Sequence, residues 1–153
     1  QVQKLFEQIV PLKPKLWLSA AVWPNYSSGY SNYYQDPKAW LLGINDPNPD
    51  NKPYIDSISP MIYGGFDTGL ASWQSFAQDF QNSRNGRYII PGIGGNLSSF
   101  AEIEARINAA RQMGTAGQAI FSYSGLLSHN YFQALADGPY ATKATVPDIT
   151  WHS

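Results

Sequence analysis

Two aspartates stand where a carboxyl group can exchange protons with a bound molecule, and both have rings as near neighbours. Asp36 closes the run Tyr33-Tyr34-Gln35-Asp36, and Asp67 follows Gly64-Gly65-Phe66. A positioned carboxyl can serve as a general acid or base, and both aspartates lie in stretches that leave the ends of predicted strands. The other carboxylates are placed less usefully. Glu7, Glu102 and Glu104 fall in helical patterns, Asp46 and Asp50 in a stretch that enters a strand, and Asp79, Asp137 and Asp148 on helices or in the tail. Asp56 opens a strand, where a structural task is expected. Asp36 is also in the right place to cap a helix, since Pro37 follows it at a first helical position.

Around the two aspartates stand groups suited to binding. Trp23 and Tyr63, at predicted strand ends, offer a ring face and a polar edge, and Tyr123 offers the same from a later strand. Gln35 brings an amide that can hydrogen-bond a hydroxyl, and Met61 lies two residues before Tyr63. We therefore take Asp36 and Asp67 as candidate catalytic groups, and Trp23, Gln35, Met61, Tyr63 and Tyr123 as candidate substrate contacts. No metal or other cofactor is expected, because His129 has no second ligand at metal-binding spacing and His152 lies in the tail. The turn over 92–96 precedes a helix and could offer backbone N–H groups to an anion, although a tight strand-to-helix turn accounts for it as well.

These residues need elements to hold them. In Tyr54-Ile55-Asp56-Ser57-Ile58-Ser59-Pro60-Met61-Ile62-Tyr63 the odd positions from Ser57 to Tyr63 fall on one face, and Ile58 and Ile62 on the other. That period of two predicts a strand. A small, polar face opposite an aliphatic one suits a barrel strand, whose inner face meets other strands in a narrow interior. Strands are also predicted over 15–23, 87–95 and 118–123. A helix is predicted over 2–10, a short one from Asp36 to Leu42, one capped by Ser72 with Trp73, Phe76 and Phe80 on one side, and a last one over 131–136. The helix most strongly marked begins at the capping box Ser99/Glu102 and carries Phe100, Ile103, Ile107 and Ala110 as its stripe. The stretch 24–34 reads as a polar aromatic binding loop, 45–53 as a solvated turn, and the tail from Gly138 as irregular.

Predicted strands start near residues 15, 54, 87 and 118, at intervals of 39, 33 and 31 residues. A (β/α)8 barrel uses about 250 residues, or roughly 31 per unit, so the spacing fits while the count is half of what closure needs. A doubly wound sheet with a dinucleotide fingerprint is disfavoured: Gly92 and Gly94 are followed by Leu97 where a third glycine is required. The expected architecture is α/β, four parallel βα units making half of a barrel in one partial domain over 1–153.

Composition narrows the partners. The 153 residues carry a formal charge of -1 with scattered Lys and Arg, so nucleic acid is a poor fit. There is no cysteine, and hence neither disulfides nor thiolate metal sites. No apolar run reaches membrane-spanning length, and no signal peptide is visible. The chain opens at Gln1, as a processed or excised piece would. The informative excess is 14% aromatic residues, including ten Tyr and five Trp, since ring platforms bind sugars and other amphipathic ligands when they are not core.

Several motifs, taken in order, carry a resemblance. Tyr34-Gln35-Asp36 with Trp40-Leu41, then Asp56-Ser57-Ile58-Ser59-Pro60-Met61-Ile62-Tyr63, Ile90-Pro91-Gly92-Ile93-Gly94 and Gly117-Gln118-Ala119-Ile120-Phe121-Ser122-Tyr123 resemble the C-terminal half of the glycosyl hydrolase-like 10 family over almost the whole chain. The resemblance implies a (β/α)8 barrel of bacterial, often exported, proteins that cleave glycosidic bonds, with these strands as the fifth to eighth. It also implies that an acidic motif at the end of the fourth strand lies upstream of Gln1. Expectations follow: a carbohydrate substrate, an extracellular or cell-envelope location, carboxylate acid/base chemistry at the barrel mouth, and a fragment inactive alone. A non-catalytic glycan-binding or cell-envelope module is the alternative. Open parallel edges further imply self-association or pairing with the missing half-barrel.

Overall fold

The computed structural model describes residues 1–12, 16–43 and 53–151. The predicted turn over 45–53, with Asp46 and Asp50, lies outside the described residues except for Pro53, and His152 lies outside them too. The fold is mixed α/β with parallel strands. Five short strands, β1 (Ser19–Val22), β2 (Ser57–Pro60), β3 (Tyr88–Ile89), β4 (Gly92–Gly94) and β5 (Ala119–Phe121), alternate with helices α1 (Val2–Ile9), α2 (Tyr26–Tyr33), α3 (Pro37–Leu42), α4 (Leu70–Asn82), α5 (Phe100–Gln112), α6 (Tyr123–Ser128) and α7 (Phe132–Asp137), and a 3₁₀ turn covers Gly64–Phe66.

β1, β2 and β3 form one parallel sheet in that order, and β4 pairs in parallel with β5 in another. The predicted single strand over 87–95 is thus two, because Pro91 has no N–H to give to a ladder. Its neighbours carry the handover: Ile90 N donates to Ile58 O at 2.9 Å, and Pro91 O accepts from Ala119 N at 3.1 Å. The extended segment therefore leaves β2 and joins β5. Within each sheet the strands run in one direction, and the C-terminal ends of β1, β2, β4 and β5 lead into the segments that carry most of the candidate site residues.

The strand predicted over 54–63 is shorter than expected, since β2 spans Ser57–Pro60 and residues 54–58 are all buried; the alternation holds from Ile58 onward, where Ile58, Pro60 and Ile62 are buried and Ser59, Met61 and Tyr63 are half-buried. Ile58 is buried with Val22, Leu41, Ile55, Phe80 and Ile89, while Ile62 belongs to a second cluster with Trp73, Ile93, Ile103, Ile107, Leu126 and Leu135. The helices supply the partners of this aliphatic face: α3 gives Leu41, α4 gives Trp73 and Phe80, and α5 gives Ile103 and Ile107. The opposite face carries small residues. Ser19 and Ala21 of β1 lie level with Ser57 and Ser59 of β2.

Local signals explain most helix starts. Asp36 caps α3, its Oδ1 accepting from Ala39 N at 3.2 Å, with Pro37 in the first turn. Ser99 and Glu102 make the predicted capping box of α5. Two expectations need correction. The stretch expected to be a loop over 24–34 holds the helix α2, started by Asn25, whose side chain accepts from Ser28 N at 2.9 Å. Ser72 does not cap α4, which begins at Leu70 after Gly69; its hydroxyl donates instead to Phe66 O at 2.9 Å and ties the helix to the preceding turn.

At the N-terminal ends of the strands, Asp56 is 0% exposed. Its carboxylate accepts from Leu18 N at 2.8 Å and from the Trp151 indole at 2.6 Å. The Arg87 guanidinium lies 4.4 Å from that indole ring, and Tyr88 packs edge-on against it at 4.9 Å. This is the structural task expected of Asp56, and it fastens the tail across the end opposite the candidate site.

Candidate functional site

The site is built where β1, β2, β4 and β5 end. Trp23 follows β1 directly. Its ring stacks on Tyr33 of α2 (centroids 4.2 Å apart, planes at 30°) and meets Phe66 edge-on at 5.3 Å. Gln35 is the reason it stays there, because its Oε1 accepts from Trp23 N at 2.7 Å. The Gln35 carbonyl thus orients Trp23, and the amide NH₂ end is the part of the side chain that can donate to a ligand. Gly29 completes the fit: a Cβ at that position would stand 3.1 Å from Trp23 Cβ.

Met61 and Tyr63 follow β2. Met61 is half-buried, and its N–H donates to Val22 O at 2.9 Å, holding the two strand ends level. Tyr63 stacks on Phe121 at the end of β5 (centroids 5.5 Å apart, planes at 29°), and burial raises the pKa of its phenol above the ordinary value. Phe121 was not among the expected contacts. The period of two pointed to it, since Phe121 shares a strand face with Ala119, the residue that pairs with Gly92.

Tyr123 sits elsewhere. The expected strand over 118–123 stops at Phe121, the Phe121–Ser122 peptide is cis, and Tyr123 is the first residue of α6. Its ring tilts against Phe132 at 5.1 Å and is 69% exposed, so it is not part of the Tyr63–Phe121 stack.

The two candidate carboxylates are both engaged. Asp67 is held in a fork by Arg106 of α5, with Nε on Oδ2 at 2.7 Å and Nη2 on Oδ1 at 2.5 Å, both side chains almost fully buried. Arg106 Nη1 also donates to Glu102 O at 2.8 Å. This bidentate pair fastens the loop that carries Tyr63 and Phe66 to α5. A proton-transfer group held in this way would first have to leave Arg106. Asp36 is more open. Besides capping α3, its Oδ1 accepts from the Tyr26 hydroxyl at 2.7 Å.

Burial, the hydrogen bond to Asp36 and the charge of Asp36 together push the Tyr26 phenol up to about 12. A folded-state value above the unfolded one, about 10, means that Tyr26 adds stability in full below pH ~10 and that this is lost as the pH rises through about 12. Asp36→Asn keeps a good cap, with a loss under about 1 kcal/mol, and removes the charge. The Tyr26 titration is therefore expected to move down in Asp36→Asn by the share the carboxylate supplies, while burial, the larger cause, keeps it above the ordinary value. Ultraviolet difference titration against Tyr26→Phe reads this directly, and an unmoved midpoint would show that the carboxylate does not govern the phenol.

The N-terminus of α5 is not a vacant anion site. The Glu102 carboxylate is already engaged there: its Oε2 accepts from Ser98 Oγ at 2.8 Å, Ser99 N at 2.9 Å and Ser99 Oγ at 3.1 Å, which lowers its pKa. Among the described residues no group of three or more His, Asp or Glu is placed to hold a metal ion, and no helix is long and apolar enough to cross a membrane. Comparison of the chain with protein-family models finds no match, and no curated protein or solved structure matches it either.

Proposed function

We propose that this chain is the aromatic, substrate-holding part of a glycoside hydrolase-like (β/α)8 barrel, exported from a bacterium and acting on a poly- or oligosaccharide. The observation that carries the reading is the row of rings at the C-terminal strand ends, Tyr33, Trp23 and Phe66 on one side and Tyr63 and Phe121 on the other. Barrel enzymes keep their chemistry at that end, and stacked aromatic faces fit the C–H faces of sugar rings. Parallel pairing within each of the two sheets, β1-β2-β3 and β4-β5, and the handover of the segment 88–94 from one to the other support a half-barrel that needs a complementary half or a second copy.

Glycoside hydrolysis takes two carboxyl groups. Asp36 is the better candidate here, since both oxygens of Asp67 are committed to Arg106. The second carboxyl would come from a stretch outside residues 1–153. That same commitment favours the alternative, a glycan-binding or cell-envelope module without hydrolysis. Asp36→Asn in a complete barrel separates the two: an enzyme loses turnover and keeps sugar binding, whereas a binding module has no turnover to lose. The reading itself is tested by titrating the chain with soluble neutral oligosaccharides and following the Trp23 indole.

A further inference from the structure

Phe121 is a large apolar ring that is 64% exposed, and yet everything behind it is fixed. Its backbone carbonyl accepts from Gly95 N at 2.8 Å, and its ring lies on Tyr63. Tyr63 in turn lies on the bare Cα of Gly92, where a Cβ would stand 2.4 Å from the phenol oxygen. The Trp73 indole donates to Gly92 O at 2.8 Å. A glycine whose carbonyl is held by Trp73 and whose Cα is covered by Tyr63 sets the height of Tyr63, and Tyr63 sets that of Phe121.

Charge at this end is as informative as shape. The segments that follow β1, β2, β4 and β5, residues 23–36, 61–69, 95–99 and 122–131, contain no Lys or Arg. The nearby Arg106 is spent on Asp67. An anionic sugar would find no cation on these segments to pair with, and its carboxylate or sulfate would lose hydration without return.

We propose that Phe121, backed by Tyr63 and seated by Gly92, is a stacking subsite for a neutral hexopyranose ring, and that Gly92 is its positioning residue. The inference rests on the carbohydrate reading and deepens it by naming the ring, the seat and the charge class of the ligand. An exposed face of this kind gains from apolar contact with ring C–H groups, and a rigid platform loses little entropy when it is covered.

The experiment is calorimetric titration of the 153-residue chain with a β-1,4-linked glucose oligosaccharide, a chito-oligosaccharide and an oligogalacturonate of equal length. One or both neutral ligands are expected to bind, and the uronate at least about ten-fold more weakly. Phe121→Ala is expected to weaken neutral binding roughly ten-fold, the Phe121→Tyr variant to restore it, and Gly92→Ala to weaken it while near-ultraviolet circular dichroism stays native apart from the tyrosine bands. Unchanged binding by Phe121→Ala, with the wild-type chain still binding, overturns the subsite and leaves the carbohydrate reading standing. Equal affinity for the uronate overturns the charge class. Failure of the wild-type chain to bind either neutral ligand overturns the subsite together with the reading on which it rests.

Discussion

Arg106→Met is expected to destabilise the chain by about 3–5 kcal/mol, because it removes one partner of a buried ion pair and leaves the other charged and unpaired. Arg106 is 2% exposed, and the Asp67 side chain is as deeply covered. The Asp67 carboxylate accepts from both N–H groups of the fork, and Met supplies neither. The loss of Arg106 also frees Glu102 O and the loop that carries Tyr63 and Phe66. The double variant Arg106→Met with Asp67→Leu is expected to recover much of the loss, since a buried pair exchanged whole for apolar side chains is often close to neutral. Urea unfolding of the single and double variants measures both. A single-variant loss below about 1 kcal/mol would mean that the pair behaves like an exposed salt bridge.

Trp73→Ala is expected to cost a similar about 3–5 kcal/mol, through the cavity left by a large buried ring. Trp73 is 0% exposed and sits in the cluster of Ile62, Ile93, Ile103 and Ile107. Its indole N–H also satisfies Gly92 O, a carbonyl with its strand buried around it. Trp73→Phe keeps most of the packing and removes this donor, so its expected loss is about 1–3 kcal/mol. Thermal unfolding of the two variants separates packing from hydrogen bond. Equal losses would assign the whole effect to the ring edge at Gly92, and no loss in Trp73→Phe would show that the carbonyl does not depend on it.

What the sequence disclosed and what it hid divide along the range of the interaction. The capping box at Ser99 and Glu102, the Asp36-Pro37 start of α3 and the alternation through Ser57-Ile58-Ser59 are local, and each is legible within a few residues. The helix α2 is not. Tyr26-Ser27-Ser28-Gly29-Tyr30-Ser31-Asn32-Tyr33 has no apolar stripe and contains a glycine, and the helix is held by the Asn25 cap and by the packing of Gly29 against Trp23. Tertiary contact overrides weak propensity there.

The site shows the same division. Trp23, Met61 and Tyr63 were visible as residues that leave strands, while the partner of Tyr63 was not, because Phe121 comes from a strand 58 positions further on and the expected strand there ran two residues too long. Tyr123 was drawn toward the site by that overrun. The pairing of Asp67 with Arg106 spans 39 residues and joins a loop to the middle of a helix, so no local pattern announces it. Trp151 is the furthest case among the described residues: its indole reaches Asp56 across 95 residues from a stretch, 138–151, that carries no helix or strand.

The central claim is that the rings at the C-terminal strand ends hold a sugar, and the chain carries its own control at the other end. Trp23 lies at the proposed site, whereas Trp17 and Trp151 pack on Tyr88 where the strands begin. With the tryptophan indoles labelled with nitrogen-15, a titration with a neutral β-linked oligosaccharide at millimolar concentration is expected to shift the Trp23 indole signal in a saturable way and to leave those of Trp17 and Trp151 in place. An unmoved Trp23 signal at saturating sugar, or shifts confined to Trp17 and Trp151, would contradict the account.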